Sequence, residues 1–433
     1  AYNLRGRKDT TMIRKLIEEP FSHERRSNFN ILLNDLKVFA SVPFFISWYR
    51  SDESKKVFPL LIQELADLNP DRIRLKKYLP GFNPFFTHLD YLQYYIYEEN
   101  GVPLGRIASI IDRHYKEKKF EGRVGILSLF EAENAKIGQT LMDTAIKDLK
   151  NLGCSKIVGP MRFNASGEVG ILIDGFNNSP MPMEPYNPPY YKEIFDQYGE
   201  KENDWFSFII DAESASNYMT RITNILNNGT NFEEKLKKEG IVIRDADFKD
   251  YENEIERIRK IYNAAWDSIE HPQFEKFSEE EFNYIAASLK QIAIPELIYI
   301  VEENDNPIGV SVTIPNINEV ISSVDNDLFK AFTPRESAFN VRDLYRDLII
   351  FKDMKKKLHK KDFKSTRIFI LGLLKKKIGL DALLYKRTFE KGTAIGMEYA
   401  RASQIADTNL NMANPLMKMG KLGFTWRVYN IRY

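Results

Sequence analysis

Tyr94-Tyr-Ile-Tyr-Glu-Glu-Asn-Gly-Val-Pro-Leu-Gly-Arg-Ile-Ala-Ser109 and Leu297-Ile-Tyr-Ile-Val-Glu-Glu-Asn-Asp-Asn-Pro-Ile-Gly-Val-Ser-Val312 are two versions of one pattern. Each reads as strand, tight turn, strand. β-Branched and aromatic residues lead into Asn-Gly or Asn-Asp-Asn, the residues that tolerate the positive φ of a hairpin turn. A glycine, Gly105 or Gly309, then falls inside the second strand, where it marks a bulge or a close backbone approach.

Working outward, each hairpin is followed by a further apolar strand and an amphipathic helix. In the first half these are Val124 to Phe130 and Ala135 to Leu152, with Ile137, Leu141, Ala145, Ile146 and Leu149 at helical spacing. In the second half they are Arg367 to Leu373 and Leu380 to Gly396. Return strands are expected at Lys156 to Val158 and at Met397 to Ile405. A meander, a helix and a strand, repeated once, predict tandem α+β domains. The expected division is an N-terminal extension at 1–30, a first domain at 31–210, a helical connection at 211–290 that opens the second domain, and a second domain at 291–433.

The bulk composition narrows the function classes. Lys plus Arg number 62 against 61 Asp plus Glu, so there is no basic excess to favour nucleic acid. The one cysteine, Cys154, forbids an internal disulfide and a cysteine-built zinc site, which suits a reducing compartment such as the cytoplasm. The five histidines are scattered without metal-ligand spacing, so no metal is expected. No apolar run approaches the ~18 residues that a membrane helix needs, and the first residues are polar.

Chemistry is expected at the strand-to-helix junctions. Leu371-Gly-Leu-Leu-Lys-Lys-Lys-Ile-Gly-Leu-Asp-Ala-Leu-Leu384 sets lysines and a glycine where free N–H groups at a helix start can hold an anion, although a solvated lysine turn would read the same way. In the first half the same place holds Phe130-Glu-Ala-Glu-Asn134, whose carboxylates repel phosphate.

At this loop the chain resembles the GNAT acyltransferases. Lys376-Lys-Ile-Gly-Leu-Asp381 stands where that superfamily has its Arg/Gln-x-x-Gly-x-Gly/Ala pyrophosphate loop, with Lys376 replacing Arg or Gln and Asp381 replacing the small last residue. Gln404 to Asn414 followed by Met419-Gly-Lys-Leu-Gly-Phe-Thr425 looks like the superfamily's next motif. A longer resemblance, over residues 35 to 433, is to a bacterial tandem-GNAT group that includes ceramide synthases. It is carried by Ser41-Val-Pro-Phe-Phe45, Leu104-Gly-Arg-Ile-Ala108, Val158-Gly-Pro-Met-Arg-Phe-Asn164, Tyr186-Asn-Pro-Pro-Tyr-Tyr191, Asn263-Ala-Ala-Trp266 and Ile314-Pro-Asn-Ile-Asn-Glu319.

The resemblance implies an α+β fold of two tandem GNAT-like domains, each a mixed, mostly antiparallel sheet flanked by helices. It implies an acyl-CoA or acyl carrier protein thioester as donor and an amine as acceptor, a lipid such as a long-chain sphingoid base among the candidates. An acetyltransferase for a small amine or peptide, and a non-catalytic thioester-binding protein, remain the alternatives. Leu373, Lys376, Lys377, Gly379 and Asn409 are the expected donor contacts.

Amine acylation needs a base for the amine and a proton for the leaving thiolate. Glu131 and Glu319, near strand ends, are candidate bases, and Tyr191 and Tyr429 candidate acids. Direct transfer needs no protein nucleophile, so Cys154 reads as packing. The loop bearing Asn164 and Glu168, and the proline-stiffened Ser179-Pro-Met-Pro-Met-Glu-Pro-Tyr-Asn-Pro-Pro-Tyr-Tyr191 with Tyr186, Asn187 and Tyr190, are candidate substrate-binding segments. Lys355-Lys-Lys-Leu-His-Lys-Lys-Asp-Phe-Lys364 reads as a solvated helix face; with a lipid acceptor it would offer peripheral contact with the anionic inner membrane surface.

Overall fold

The computed structural model describes residues 11–17, 89–100, 102–115, 120–161, 169–227, 231–267, 271–323, 341–375, 377 and 379–433. The first half runs β1 (Thr11–Ile17), β2 (Leu89–Glu99), β3 (Val102–Asp112), β4 (Val124–Ala132), α1 (Ala135–Asn151), β5 (Lys156–Gly159), β6 (Ile171–Asp174), α2 (Tyr190–Tyr198) and β7 (Gly199–Asp211). Next come α3 (Ala212–Asn227), α4 (Phe232–Lys238), β8 (Ile241–Asp245), α5 (Tyr251–Trp266) and α6 (Glu279–Lys290). The second half continues with β9 (Ile298–Glu303), β10 (Asn306–Pro315), α7 (Asn318–Ser323), α8 (Val341–Lys360), β11 (Ser365–Leu373), α9 (Leu380–Ala394), β12 (Tyr399–Ala406), α10 (Leu410–Met419) and β13 (Lys421–Ile431).

The two quoted stretches are hairpins. β2 pairs antiparallel with β3, and β9 with β10. Asn100 has φ +53°, and Asn304 and Asp305 have φ +49° and +65°, the left-handed values a tight hairpin demands. Gly105 is also a close-approach glycine: a Cβ there would lie 2.8 Å from Ile137 Cγ2 and from Leu141 Cδ1, so α1 sits directly on the hairpin.

The described strands form one sheet in the order β1-β2-β3-β4-β5-β13-β7-β12-β11-β10-β9-β8, with β6 paired to β13. That order reads alike from either end. β7, which closes the first half, inserts beside β12 of the second, and β13, which closes the second, inserts beside β5 of the first. The long β7–β13 pair joins them. The position 210/211 thus falls at the end of a strand built into a common sheet. The stretch 211–290, read from sequence as helical, also contributes β8, whose five residues carry only Ile241 and Ile243 as a buried apolar signal.

Apolar side chains cover both faces. One cluster runs across both halves, from Leu92, Ile96 and Ile126 through Trp426 to Ile300, Val312 and Ile370, and includes α5 and α6 residues. The opposite face carries two separate clusters, one under α1 and α2 and one under α3, α9 and α10.

Two features recur. β4 and β5 are parallel and pair only from Val124/Lys156 to Ile126/Val158, and β11 and β12 only from Ser365/Tyr399 to Ile368/Ala402. Just past each last pair the first strand is bulged. The β3–β4 register jumps between Ala108↔Ser128 and Arg106↔Glu131, with Leu129 at φ +53°. The β10–β11 register jumps between Thr313↔Ile368 and Val312↔Ile370. A bulge bends and twists its strand, so each parallel pair parts into a wedge.

Candidate active site

In the first half the residues at the end of β4 come together. The Tyr191 hydroxyl donates to Glu131 Oε2 at 2.9 Å and accepts the Ala132 N–H at 2.8 Å, while the Tyr190 hydroxyl donates to the Ala132 carbonyl at 2.5 Å. Burial and then the Glu131 charge push both phenols well above the usual tyrosine range. The backbone edge at Ala132 is therefore occupied by α2. Tyr429 lies in the same cluster, its ring 5.5 Å from Phe195, but its hydroxyl donates to Asp196 Oδ1 at 2.8 Å. The loop below is also closed: the Asn134 side chain caps α1 by accepting from the Ile137 N–H.

The proline-rich segment is held by internal bonds. The Asn187 amide accepts the Leu172 N–H at 2.6 Å and donates to the Leu172 and Pro188 carbonyls. The Tyr186 hydroxyl donates to the Phe176 carbonyl at 2.5 Å. Asn164 and Glu168 lie outside the described residues.

Glu319, in α7, belongs to the other half and does not meet Glu131. Its carboxylate accepts the Lys364 and Ser365 N–H groups at 3.0 and 2.8 Å and the Ser365 hydroxyl at 2.5 Å, tying α7 to the start of β11. At the far end of β11, Leu373 is half-buried and Gly379, with φ +89°, caps α9. Lys377 is paired with Glu239, and Lys375 with Glu303. Asp381 occupies the first turn of α9. Lys376 lies outside the described residues. Asn409 is buried, and its side chain caps α10 by accepting from Met412 N–H at 3.3 Å. Among the described residues, no side chain is hydrogen-bonded to β11 between Phe369 and Leu373, in contrast to the tyrosines on Ala132.

The second wedge adjoins an apolar hollow. α5 and α6 arch over β10 and β11 and enclose a hollow of about 140 Å³. Its wall holds Ile255, Ile258, Phe282, Val312, Ile314 and Ile370, and at the parting of the parallel strands Arg367, Phe369, Ser403 and Gln404. Tyr262 and Trp266 stack inside it, with centroids 4.4 Å apart and planes at 18°. Burial raises the Tyr262 phenol well above its usual range, against the pull of the Arg367 guanidinium. Glu254, also in the wall, is paired with Arg244 at 2.9 Å and with Arg257 at 2.6 Å.

A buried ionic group anchors this corner. Arg401, opposite Arg367 in the β11–β12 register, donates to Glu184 Oε2 at 2.7 Å, and the two side chains are 3% and 0% exposed. The Ser403 hydroxyl donates to Glu184 Oε1 at 2.5 Å and accepts from Arg367 Nε at 2.9 Å. Burial pushes the Glu184 carboxyl up, but Arg401 and Arg367, aided by the Met181 N–H and the Ser403 hydroxyl, outweigh it and hold the group below the usual carboxylate range. Arg367 also donates to the Pro182 carbonyl, Arg401 to Ser179 and Asn318 to Pro180. The segment singled out as a substrate loop thus straps the first half onto the second half's wedge. Sequence reasoning missed Arg367, Arg401, Ser403 and Tyr262. A charged residue inside an otherwise apolar strand, as in Ser365-Thr-Arg-Ile-Phe-Ile370, was the available signal.

In both halves a meander, a helix and a return strand follow in the order that the repeat predicted, and the structure adds that the strand before the helix is bulged and the return strand parallel to it. The chain has a tandem GNAT fold. No family model matches it. It is 28% identical over 304 residues to protein YghO of Escherichia coli K12, covering 68% of this chain and 70% of that one. It is 26% identical over 363 residues to a bacterial ceramide synthase of Caulobacter vibrioides, covering 81% and 86%. A solved tandem GNAT protein from the clavulanic acid biosynthesis pathway is 8% identical, covers 97% of this chain and 98% of its own, and superposes with a TM-score of 0.42. Among the described residues, no group of His, Cys, Asp and Glu is arranged to hold a metal ion, and no helix is long and apolar enough to cross a membrane.

Proposed function

We propose that this tandem GNAT chain transfers an acyl group from a thioester to an amine, and that the transfer takes place at the second half's wedge. The observation that carries this reading is the opening of the apolar hollow at the point where β11 and β12 part, beside Arg367 and Ser403. A strand edge free of its neighbour offers backbone groups to a pantetheine arm, and the hollow offers a dry wall to an alkyl chain. The amine attacks the thioester carbonyl, the oxygen gains negative charge, and the thiolate departs. No covalent intermediate on the protein is required. Arg367 supplies positive potential in a low-dielectric wall where the oxyanion develops. The proton that the acylated nitrogen loses passes to the departing thiolate, so amide and thiol form with no proton left over. The Glu131–Tyr191 contact closes the first half's strand end, which leaves the second half as the donor site.

The similarity to a ceramide synthase supports a long-chain amine as acceptor. The engagement of Lys375 and Lys377 by carboxylates supports a carrier-protein thioester as well as an acyl-CoA, since coenzyme A's pyrophosphate would have to compete with Glu303 and Glu239. Lys355, Lys356 and Lys360 are exposed on α8 and suit an anionic lipid surface. The test is mass spectrometry of products formed from acyl-CoA and acyl carrier protein thioesters with a sphingoid base. An N-acylated base that disappears in Arg367→Met supports the assignment. Thioester use with only small amines would replace the acceptor, and no thioester use would overturn the transferase reading.

A further inference from the structure

The hollow has a built end. Trp266, the last residue of α5, meets β11 at Gly372: a Cβ on Gly372 would run into Trp266 Cζ3, with Cη2 at 3.1 Å and Ala265 Cβ at 3.2 Å. Tyr262, one turn earlier, stacks on the indole, and Phe274 and Phe277 stand against the tyrosine with centroids 5.6 and 5.5 Å away. His271 packs on the indole at 5.4 Å. The indole thus has two close neighbours, a strand that tolerates no side chain and a ring packed by two phenylalanines. Large aromatic groups so restrained do not yield to a ligand at little cost. Apart from Glu254, Lys290, Arg367, Ser403 and Gln404, the rest of the wall is made of aliphatic and aromatic side chains, which fits an alkyl chain.

From this we infer that the Tyr262–Trp266 stack is a length stop for an alkyl chain lodged in the hollow, and that Gly372 sets its position. The inference rests on the proposed transfer reaction and names what decides its chain-length range. The chain comes from the acyl donor or from a long-chain amine, two sources with one chemistry.

Two substitutions perturb the stop in opposite directions. Trp266→Ala removes it, and Gly372→Ala pushes the indole into the hollow. The experiment measures displacement of a fluorescent anilinonaphthalene probe by graded straight-chain fatty acids and alkylamines, with product profiles from graded thioesters and amines in parallel. Expected is a shift toward longer chains in Trp266→Ala and toward shorter ones in Gly372→Ala, about fourfold in preference for each methylene gained or lost. The series that shifts, acids or amines, identifies the source. An unchanged length preference in Trp266→Ala overturns the inference, even where the wild-type protein transfers acyl groups normally. Wild-type protein that binds chains with the expected shifts but consumes no thioester would remove the proposed reaction and leave the length stop standing. Should Gly372→Ala fold poorly, as a thermal melt would show, Trp266→Phe gives the intermediate shift that decides the matter.

Discussion

Removing Glu184 should be among the most damaging single changes outside the apolar core. Its side chain is fully buried and faces Arg401, which is 3% exposed, so Glu184→Ala leaves a guanidinium without its counterion in a low-dielectric corner. It also strips partners from the Met181 N–H and the Ser403 hydroxyl. Breaking a buried pair from one side costs about 3–5 kcal/mol, against a total stability of about 5–15 kcal/mol for a typical domain. Urea denaturation should therefore move the midpoint strongly downward. The double substitution Glu184→Met with Arg401→Met should recover much of the loss, because two matched apolar side chains leave no charge unpaired.

The pH dependence has a definite sign. The Glu184 carboxyl is held below its ordinary value in the folded state, so its contribution is complete above the unfolded value of about 4.3 and is lost as pH falls through the lower, folded one. The gap between wild type and Glu184→Gln should then be widest near neutrality and close in acid. A loss under about 1 kcal/mol in Glu184→Ala, or a double variant no more stable than the single one, would refute the argument that this corner is held by a paired buried charge.

Three further outcomes are expected. Tyr191→Phe removes the acceptor for the Ala132 N–H and should lower stability by about 1–3 kcal/mol in a denaturation curve, whereas a loss of turnover at unchanged stability would instead make Tyr191 the proton donor. Glu239→Gln frees Lys377 and should lower KM for acyl-CoA while leaving KM for a carrier-protein thioester nearly unchanged; equal effects on both would show that the lysine does not meet the donor's pyrophosphate. Cys154 is 5% exposed, and burial pushes its thiol upward against the pull of Arg123, so alkylation at pH 8 should be slow in the native protein and fast after unfolding, as the single cysteine makes simple to follow by intact mass.

Local signals in the chain were strong wherever one short stretch sufficed. Asn304 and Asp305 adopt the backbone their residue types favour, Gly105 is a glycine because α1 leaves no room for a Cβ, and Ile137, Leu141, Ala145 and Leu149 are buried at their expected spacing. The basic loop after β11 was visible too, but not the carboxylates that meet it, since Glu239 and Glu303 come from distant segments. Glu319 shows the same limit from the other side: a carboxylate near a strand end reads as a base, while its oxygens are taken up by the Lys364 and Ser365 backbone.

The sequence by itself determined the repeat, the run of hairpin, strand, helix and return strand in each half, and the lack of a cysteine framework, because those depend on turn chemistry, side-chain periodicity and composition within a few residues. Tertiary structure alone decided that β7 and β13 trade places in a common sheet, that the Ser179–Tyr191 segment reaches across to Arg367 and Arg401, and that Tyr262 and Trp266 close a hollow beside the second wedge. These arrangements depend on which distant surfaces bury each other. Burial is roughly proportional to apolar area and carries no direction of its own, so the pattern of one strand or helix does not name its neighbour.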